Sequence, residues 1–333
     1  MTGLGLIVVI IAIAVIFDFV NGFHDAANSV ATVIATRVLS PSKAVIMAAL
    51  CNFLAAIVFG TSVAATVGRG FVNTDIVTPY VLLAGLVGAI AWNILTWYFG
   101  LPISSSHALI GGYAGAAVAK AGLHGLIVGR WPSTLLFIVL APALGMAFGF
   151  ALMVLVYRVF HRWTPARMDR YFRHAQLLSA ALLSGAHGTN DAQKTMGIIT
   201  AVLVAGHVQG DFHVPYWVII LSASAMGLGT LSGGWRVVRT MGIRLTRLKP
   251  RSGFAAETGA AISILLATHL GLPVSTTHVV AGSIAGVGSI QRVRAVRWTM
   301  AANIVMARVL TIPSAAAVAA ASFFVLKLFV AAP

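Results

Sequence analysis

The sequence has few charged side chains, and very few of them are acidic. Charged residues occupy 9% of its 333 positions, with seven Asp and Glu against 22 Lys and Arg. A soluble domain carries charge on roughly 25% of its residues, and a chain with far less charge cannot cover a water-facing surface. With 59% hydrophobic residues and a mean hydropathy of +0.96, this scarcity excludes a soluble globular protein.

Cysteine is nearly absent as well. Cys51 is the single cysteine, so an internal disulfide and a cysteine-built metal site are both excluded. Residues 4–17 are apolar, but no basic stretch precedes them and no small-residue cleavage site follows. We therefore expect a first membrane helix here and not a cleaved signal peptide.

Ten apolar segments, five in each half, recur along the chain. A membrane-spanning helix needs ~20 residues, and the segments approach or exceed that length. They cover residues 4–35, 44–67, 79–99, 101–119, 133–157, 175–205, 215–232, 254–270, 272–290 and 298–330. The sequence therefore predicts an all-α integral membrane protein with about ten membrane segments.

The basic residues are distributed unevenly between the two sides of such an arrangement. If every segment crosses and the N-terminus lies outside, three basic residues fall in outside loops and sixteen in inside loops. The sixteen are Arg37, Lys43, Arg158, Arg162, Arg167, Arg170, Arg173, Arg236, Arg239, Arg244, Arg247, Lys249, Arg251, Arg292, Arg294 and Arg297. This bias places the basic loops in the cytoplasm. It also explains the net charge of +15 by contact with anionic membrane lipid and without nucleic acid.

Two internal repeats divide the chain into similar halves. Residues 100–115 and 271–286 share eight identities in sixteen positions, beginning Gly-Leu-Pro and reaching His107 and His278. A shorter pair, 21–26 and 187–192, recurs in the same order, which indicates a duplication. Five crossings per half give the halves opposite orientations, as in transporters with inverted repeats. We predict a first repeat at 1–158, a basic cytoplasmic linker at 159–174 and a second repeat at 175–333.

The longer repeat predicts a broken helix inside the membrane. Pro removes a backbone donor and Gly loosens the chain, so one helix ends near Gly100 and the next begins near Pro102. The new helix directs free N–H groups and hydroxyls inward, where they bind anions. The hydroxyls are those of Ser104, Ser105, Ser106, Ser275, Thr276 and Thr277. The alternative is a kinked packing helix whose serines bond to their own backbone.

Four acidic residues lie inside apolar segments, where each costs a few kcal/mol unless it is paired or hydrated. They are Asp18, Asp25, Asp191 and Glu257. Asp25 and Asp191 occupy equivalent repeat positions, and Asn28 and Lys194 follow them on the same helix face. Such groups suit Na⁺ ligation or a protonatable relay, with a buried ion pair that only fixes helix packing as the alternative. Lys194 could neutralise Asp191, meet an anionic substrate or replace a bound cation.

The positions of three histidines indicate that they support the candidate binding residues. His24 precedes Asp25, while His107 and His278 end the two serine-rich stretches. We expect them to orient hydroxyl groups or to carry protons. Two histidines and two aspartates could bind zinc, but no spaced histidine pair is present. No Gly-x-Ser-x-Gly pattern suggests a hydrolase, and we expect neither an enzyme nor a cofactor.

These blocks together resemble the inorganic phosphate transporter (PiT) family, in particular a short bacterial member. The resemblance rests on residues 22–28, residues 188–192 and the two Pro-x-Ser-x-x-His stretches. It implies symport of inorganic phosphate with Na⁺ or H⁺ across the bacterial inner membrane. It also implies an inverted duplication in which two re-entrant helical hairpins flank a central phosphate site.

Carried over position by position, the resemblance assigns roles to the residues already singled out. Phosphate would be bound by the six hairpin hydroxyls with Asn28, Asn190 and Lys194. The coupling cation or proton would be taken up by Asp25, Asp191 and Glu257, with Asp25, Asn28 and Asp191 as candidate sodium ligands.

The sequence departs from the family pattern at two positions. Asn52 stands where many relatives carry Glu, and Lys194 stands where a duplicated Asn would mirror Asn28. Both changes weaken the case for Na⁺ and favour H⁺ coupling or transport of a metal–phosphate complex. A sulfate transporter and an anion channel stay open as alternatives. The glycine pairs 111/115 and 282/286 permit close helix contacts, within one protomer or in a homo-oligomer.

Overall fold

The computed structural model describes residues 3–241, 246–291 and 298–329, which form twelve α-helices. Among these residues, strand-like pairing is limited to one isolated bridge between Val72 and Leu126. The first six helices are α1 (Gly3–Ala35), α2 (Pro41–Val58), α3 (Ser62–Arg69), α4 (Pro79–Tyr98), α5 (Ser105–Ala121) and α6 (Trp131–Val159). The last six are α7 (Pro165–Ala205), α8 (Tyr216–Ser232), α9 (Trp235–Arg239), α10 (Pro250–His269), α11 (Thr276–Gln291) and α12 (Trp298–Phe329). The predicted helical class is confirmed.

Proline marks where several of these helices begin. α2, α4, α7 and α10 each have Pro at the first helical position, preceded by an extended residue. Pro suits this position because its fixed φ matches the helix and its missing N–H would have no partner there. Before α7, the Thr164 hydroxyl also accepts a hydrogen bond from the Arg167 amide at 3.4 Å.

The distribution of polarity is that of a membrane protein. Five helices of the described chain are long and apolar enough to cross a bilayer: Gly3–Ala35, Pro41–Val58, Pro79–Tyr98, Leu135–Val159 and Val305–Phe329. Large apolar side chains such as Val139 and Phe329 are exposed, whereas Asp25 and Asp191 are at most 2% exposed. An apolar exterior around a polar interior fits lipid surroundings.

Two predicted boundaries differ from the structure. The segment 44–67 is two helices, because α2 ends at Val58 and α3 starts at Ser62, with Gly60 between them. The stretch 159–174 is a turn followed by the start of α7, since Thr164 and Pro165 begin that helix. The basic residues Arg244, Arg292, Arg294 and Arg297 lie outside the described residues, as does the last position of the segment 298–330.

The helices pack in three groups that mix the two halves of the chain. A central group contains α1 and α2 with α7 and α8. One flanking group joins α4 and α5 to α12, and the other joins α10 and α11 to α6. Both also pack on the central group, through α4 on α1 and through α10 on α7. Each flanking group therefore takes its broken-helix pair from one half and its third helix from the other, so the halves are not separate bodies.

Glycines allow the close approach within these flanking groups. A Cβ at Gly111 would overlap the carbonyl oxygen of Ile312 on α12, and one at Gly282 would overlap that of Pro142 on α6. The second glycine of each pair makes the same kind of contact with the next turn of the facing helix. Both glycine pairs thus pack within one protomer.

Candidate functional site

The two Gly-Leu-Pro stretches interrupt the helices as predicted. α4 ends at Tyr98 and α5 begins at Ser105, while α10 ends at His269 and α11 begins at Thr276. Gly100 and Gly271 adopt φ values of +66° and +68°, a left-handed conformation that costs other residues about 1–2 kcal/mol. The helix break at each copy is confirmed.

Each break is held by the opposite half of the chain. The Gly100 carbonyl accepts a hydrogen bond from the Thr240 hydroxyl at 3.1 Å, and the Gly271 carbonyl accepts one from the Thr66 hydroxyl at 2.8 Å. At the other end of the α4–α5 pair, Lys120 Nζ donates to Thr78 Oγ1 at 3.2 Å. The start of α4 and the end of α5 therefore lie side by side, so the two helices run antiparallel.

The N-termini of α5 and α11 meet in the protein interior. Ser104 Oγ accepts from the His107 amide at 3.2 Å, and Ser275 Oγ accepts from the His278 amide at 3.3 Å. The His107 and His278 rings contact each other edge to face, with centroids 4.8 Å apart. All six predicted hairpin hydroxyls are at most 3% exposed. Two positive helix ends and their hydroxyl groups are thus brought together away from the surface.

Lys194 lies between these helix ends. Its ammonium donates to Asp191 Oδ1 and Ser106 Oγ, and to the Val274 carbonyl at 3.1 Å. The other Asp191 oxygen accepts from Thr276 Oγ1 at 3.3 Å. Lys194 is 2% exposed, so the ion pair joins α7 to the starts of both α5 and α11 inside the protein.

The equivalent position in the first half carries no ammonium. Asn28 Nδ2 donates to Thr277 Oγ1 at 2.9 Å and to Thr276 Oγ1 at 3.3 Å. Since Ser106 and Thr277 are repeat equivalents, the contacts Lys194–Ser106 and Asn28–Thr277 correspond. Asp25 is paired instead with its neighbour His24, whose Nδ1 lies 2.9 Å from Asp25 Oδ1.

Glu257 and Asn190 hydrogen-bond to groups other than the six hydroxyls at the helix starts, and Asn190 Nδ2 donates to the Leu272 carbonyl at 3.4 Å, in the stretch before α11. Glu257 accepts three hydrogen bonds, from Thr32 at 2.6 Å, Gln176 at 2.8 Å and Ser179 at 2.5 Å. Asn190 Nδ2 donates to Thr268 Oγ1, near the end of α10, at 2.8 Å. Neither side chain hydrogen-bonds to Asp25 or Asp191 within the described contacts.

The structure adds residues that sequence reasoning did not assign. His187 Nδ1 lies 3.1 Å from Thr276 Oγ1 and 3.4 Å from Asp191 Oδ2. His24 Nε2 lies 3.3 Å from Thr96 Oγ1. His187 belongs to the shorter repeat, and its position in the duplication could have indicated a role at the site. Thr96 lies in an apolar segment with no motif that could have indicated one.

Asp18 is also unusual. It is fully buried on α1, and neither of its carboxylate oxygens has a hydrogen-bond partner within the described part of the chain. A buried carboxylate without partners is costly when ionised. Within the described residues, no three His, Cys, Asp or Glu side chains cluster in a way that could hold a metal ion.

Comparison with known proteins agrees with this geometry. The profile of the phosphate transporter family matches residues 21–319. A probable low-affinity inorganic phosphate transporter of Rhizobium meliloti (strain 1021) is 52% identical over 320 residues, covering 96% of each chain. A protein of the same description from Bacillus subtilis (strain 168) is 43% identical, covering 97% of this chain and 98% of its own.

A solved structure is similar along the whole length. It is described as the sodium-dependent phosphate transporter and superposes with a TM-score of 0.91 at 26% identity, covering 98% of this chain and all of its own. The matching family, the relatives and the solved neighbour are all described as transporters, so the class of this protein is a membrane transporter and not an enzyme. The chain belongs to the phosphate transporter family.

Proposed function

We propose that this protein is a cation-coupled symporter that imports inorganic phosphate by alternating access. The observation that carries the proposal is the meeting of two buried, hydroxyl-rich helix N-termini in a membrane protein of this family. Backbone N–H groups at a helix start, together with the helix dipole, favour a tetrahedral oxyanion. The curated relatives are described as inorganic phosphate transporters, which supports phosphate over sulfate.

The phosphate site in this proposal lies between the starts of α5 and α11. The phosphate oxygens accept hydrogen bonds from the six hydroxyls of residues 104–106 and 275–277 and from backbone amides beside them. Asn28 takes part from α1, since its amide already reaches Thr276 and Thr277. The amide of Asn190 would have to leave Thr268 to join them.

Coupling follows from the buried carboxylates in the same region. Phosphate carries about −1.5 to −2 charges near neutral pH, and two unit charges 4 Å apart repel by about 4 kcal/mol at an effective dielectric constant of 20. Asp25 would repel phosphate unless a cation or proton accompanies it, whereas Lys194 already balances the charge of Asp191. Glu257 has no cationic partner within the described residues, which suits a group that binds a transported cation or proton.

The architecture suits alternating access in two inverted repeats. α1–α6 and α7–α12 follow the same order, and the packing of α5 on α12 corresponds to that of α11 on α6. We infer that α4–α5 and α10–α11 are re-entrant hairpins that reach the site from opposite sides. We further infer about ten membrane segments in the inner membrane of a bacterium, with the basic loops in the cytoplasm.

Phosphate uptake into proteoliposomes tests the proposal. Labelled phosphate is offered with an imposed Na⁺ gradient or an imposed H⁺ gradient, each with and without excess sulfate. Accumulation under one gradient supports symport and identifies the coupling ion. The solved neighbour described as sodium-dependent makes Na⁺ the first gradient to impose.

Carboxamide variants give the coupling test its controls. Asp25→Asn and Glu257→Gln should abolish gradient-driven accumulation, whereas Asp75→Asn, in an exposed turn, should behave like the wild type. Full accumulation by both buried variants would overturn the coupling assignment. Flux without accumulation, together with steady currents in planar bilayers, would indicate an anion channel. Uptake that requires a divalent metal would indicate a metal–phosphate substrate.

A further inference from the structure

The two halves differ at the position three residues after the aspartate that both repeats share. Asn28 and Lys194 are equivalent in the duplication and contact the equivalent residues Thr277 and Ser106. One position therefore holds a neutral amide and the other a positive charge. Only the second half therefore carries a covalently attached cation at this position.

The surroundings of the Lys194 ammonium are those of a bound metal cation. Its three neighbours are a carboxylate oxygen of Asp191, the hydroxyl oxygen of Ser106 and the backbone carbonyl oxygen of Val274. Val274 lies in the unwound stretch before α11. Unwound backbone carbonyls coordinate Na⁺ in transporters with broken helices, and carboxylate and other oxygen ligands suit hard cations in general.

The same contacts argue against Lys194 as a direct phosphate ligand in this arrangement. An ammonium group has three N–H donors and no acceptor, and three oxygen atoms of the protein accept from them here. No donor is left for a substrate oxygen. Lys194, which sequence reasoning placed among the phosphate ligands, balances the charge of Asp191 in this arrangement.

We propose that Lys194 is a tethered cation that permanently fills, in the second half, the place of a diffusible coupling ion. The proposal rests on the proposed symport function and deepens it. Asp191 then needs no transported ion, and the exchangeable cation or proton is taken up at Asp25, which has no lysine beside it, and at Glu257. Replacing Lys194 by the residue of its repeat equivalent should open a Na⁺ site.

The test is a Na⁺ titration of Lys194→Asn in detergent without phosphate. The melting temperature is measured in NaCl and in choline chloride at equal ionic strength. Occupancy of a new site at ten times its Kd should raise the melting temperature by about 3–5 °C, beyond any shift in the wild type. Lys120→Asn, which removes a lysine that contacts Thr78, is the matched control and should respond like the wild type.

Two further variants keep the outcome decisive. Asp191→Asn combined with Lys194→Asn lacks the carboxylate and should lose the Na⁺ response. If Lys194→Asn yields no folded protein, Lys194→Gln is titrated in its place, because its longer amide still reaches Ser106. A variant that shows no Na⁺ stabilisation beyond the wild type overturns the proposal.

Transport measurements distinguish a failure of the tethered cation from a failure of the proposed symport function. Lys194→Asn should move one Na⁺ more per phosphate than the wild type, measured with labelled sodium and labelled phosphate. A raised KM for phosphate with unchanged ion stoichiometry would make Lys194 an anion contact and overturn the tethered cation. Absence of phosphate uptake by the wild type, with the Na⁺ stabilisation of Lys194→Asn intact, would instead refute the transport function alone.

Discussion

Removing the carboxylate from the buried ion pair should destabilise the protein strongly. Asp191→Asn leaves the Lys194 ammonium 2% exposed and without its anion. Breaking a buried pair by removing one partner costs about 3–5 kcal/mol, because the remaining charge stays desolvated. The melting temperature in detergent, followed by tryptophan fluorescence, should fall by roughly 10 °C at the ~2–4 °C per kcal/mol typical of large domains.

The first half supplies the comparison for this prediction. Asp25 is as deeply buried, but its partner His24 is an imidazole that is stable without charge. Asp25→Asn removes one charge and weakens one hydrogen bond, a loss of about 1–2 kcal/mol. The melting temperature of Asp25→Asn should therefore fall much less than that of Asp191→Asn.

A double substitution completes a double-mutant cycle for the Asp191–Lys194 pair. Asp191→Asn with Lys194→Asn leaves no unpaired charge, so it should recover most of the stability lost in Asp191→Asn alone. Equal destabilisation by Asp25→Asn and Asp191→Asn would refute the reasoning. A double variant no more stable than Asp191→Asn would refute it as well, since the cost would then come from packing and not from the stranded charge.

Three further predictions concern the helix packing, the helix break and Glu257. Gly282→Ala should lower the yield of monodisperse protein in size-exclusion chromatography, because overpacking costs ~1–3 kcal/mol. Gly129→Ala is the control and should leave the yield unchanged, since the space around its Cβ is open. Gly100→Ala should cost about 1–2 kcal/mol from its left-handed φ, seen as a lower melting temperature; an unchanged value would contradict the strain. Glu257→Gln should retain phosphate counterflow but lose gradient-driven accumulation, and accumulation equal to wild type would remove Glu257 from coupling.

The helix breaks could be predicted because their causes are local. Pro102 and Pro273 remove backbone donors, and Gly100 and Gly271 permit the left-handed turn before them. The duplication then doubled the signal, since a pattern that recurs with its neighbours in order has a structural cause. The buried aspartates could be predicted as functional candidates as well, because an unpaired carboxylate inside an apolar membrane segment is energetically unfavourable.

The partners of these residues could not be predicted, because they come from distant parts of the chain. Glu257 on α10 is held by Thr32 on α1 and by Gln176 and Ser179 on α7. Nothing in the spacing of an apolar helix states which of its threonines faces a carboxylate on another. The predicted continuous segment 44–67 was wrong for a related reason: a short interruption at Gly60 leaves the apolar composition unchanged.

The packing also decides which bodies could move during transport. Two inverted repeats would allow the two halves to rock against each other, but each flanking group combines helices from both halves. Each broken helix is fastened at its turn to the other half, through Thr240 on Gly100 and through Thr66 on Gly271. Rocking of the halves would pull α5 from α12 and α11 from α6. Movement of the flanking groups against α1, α2, α7 and α8 would preserve that packing, but it would shift α10 along α7 and would also break the Thr66 contact, since Thr66 lies on α3, which packs on α7. The site residues of α1 and α7 would then stay with the central group, and the starts of α5 and α11, which we propose bind phosphate, would approach or leave them.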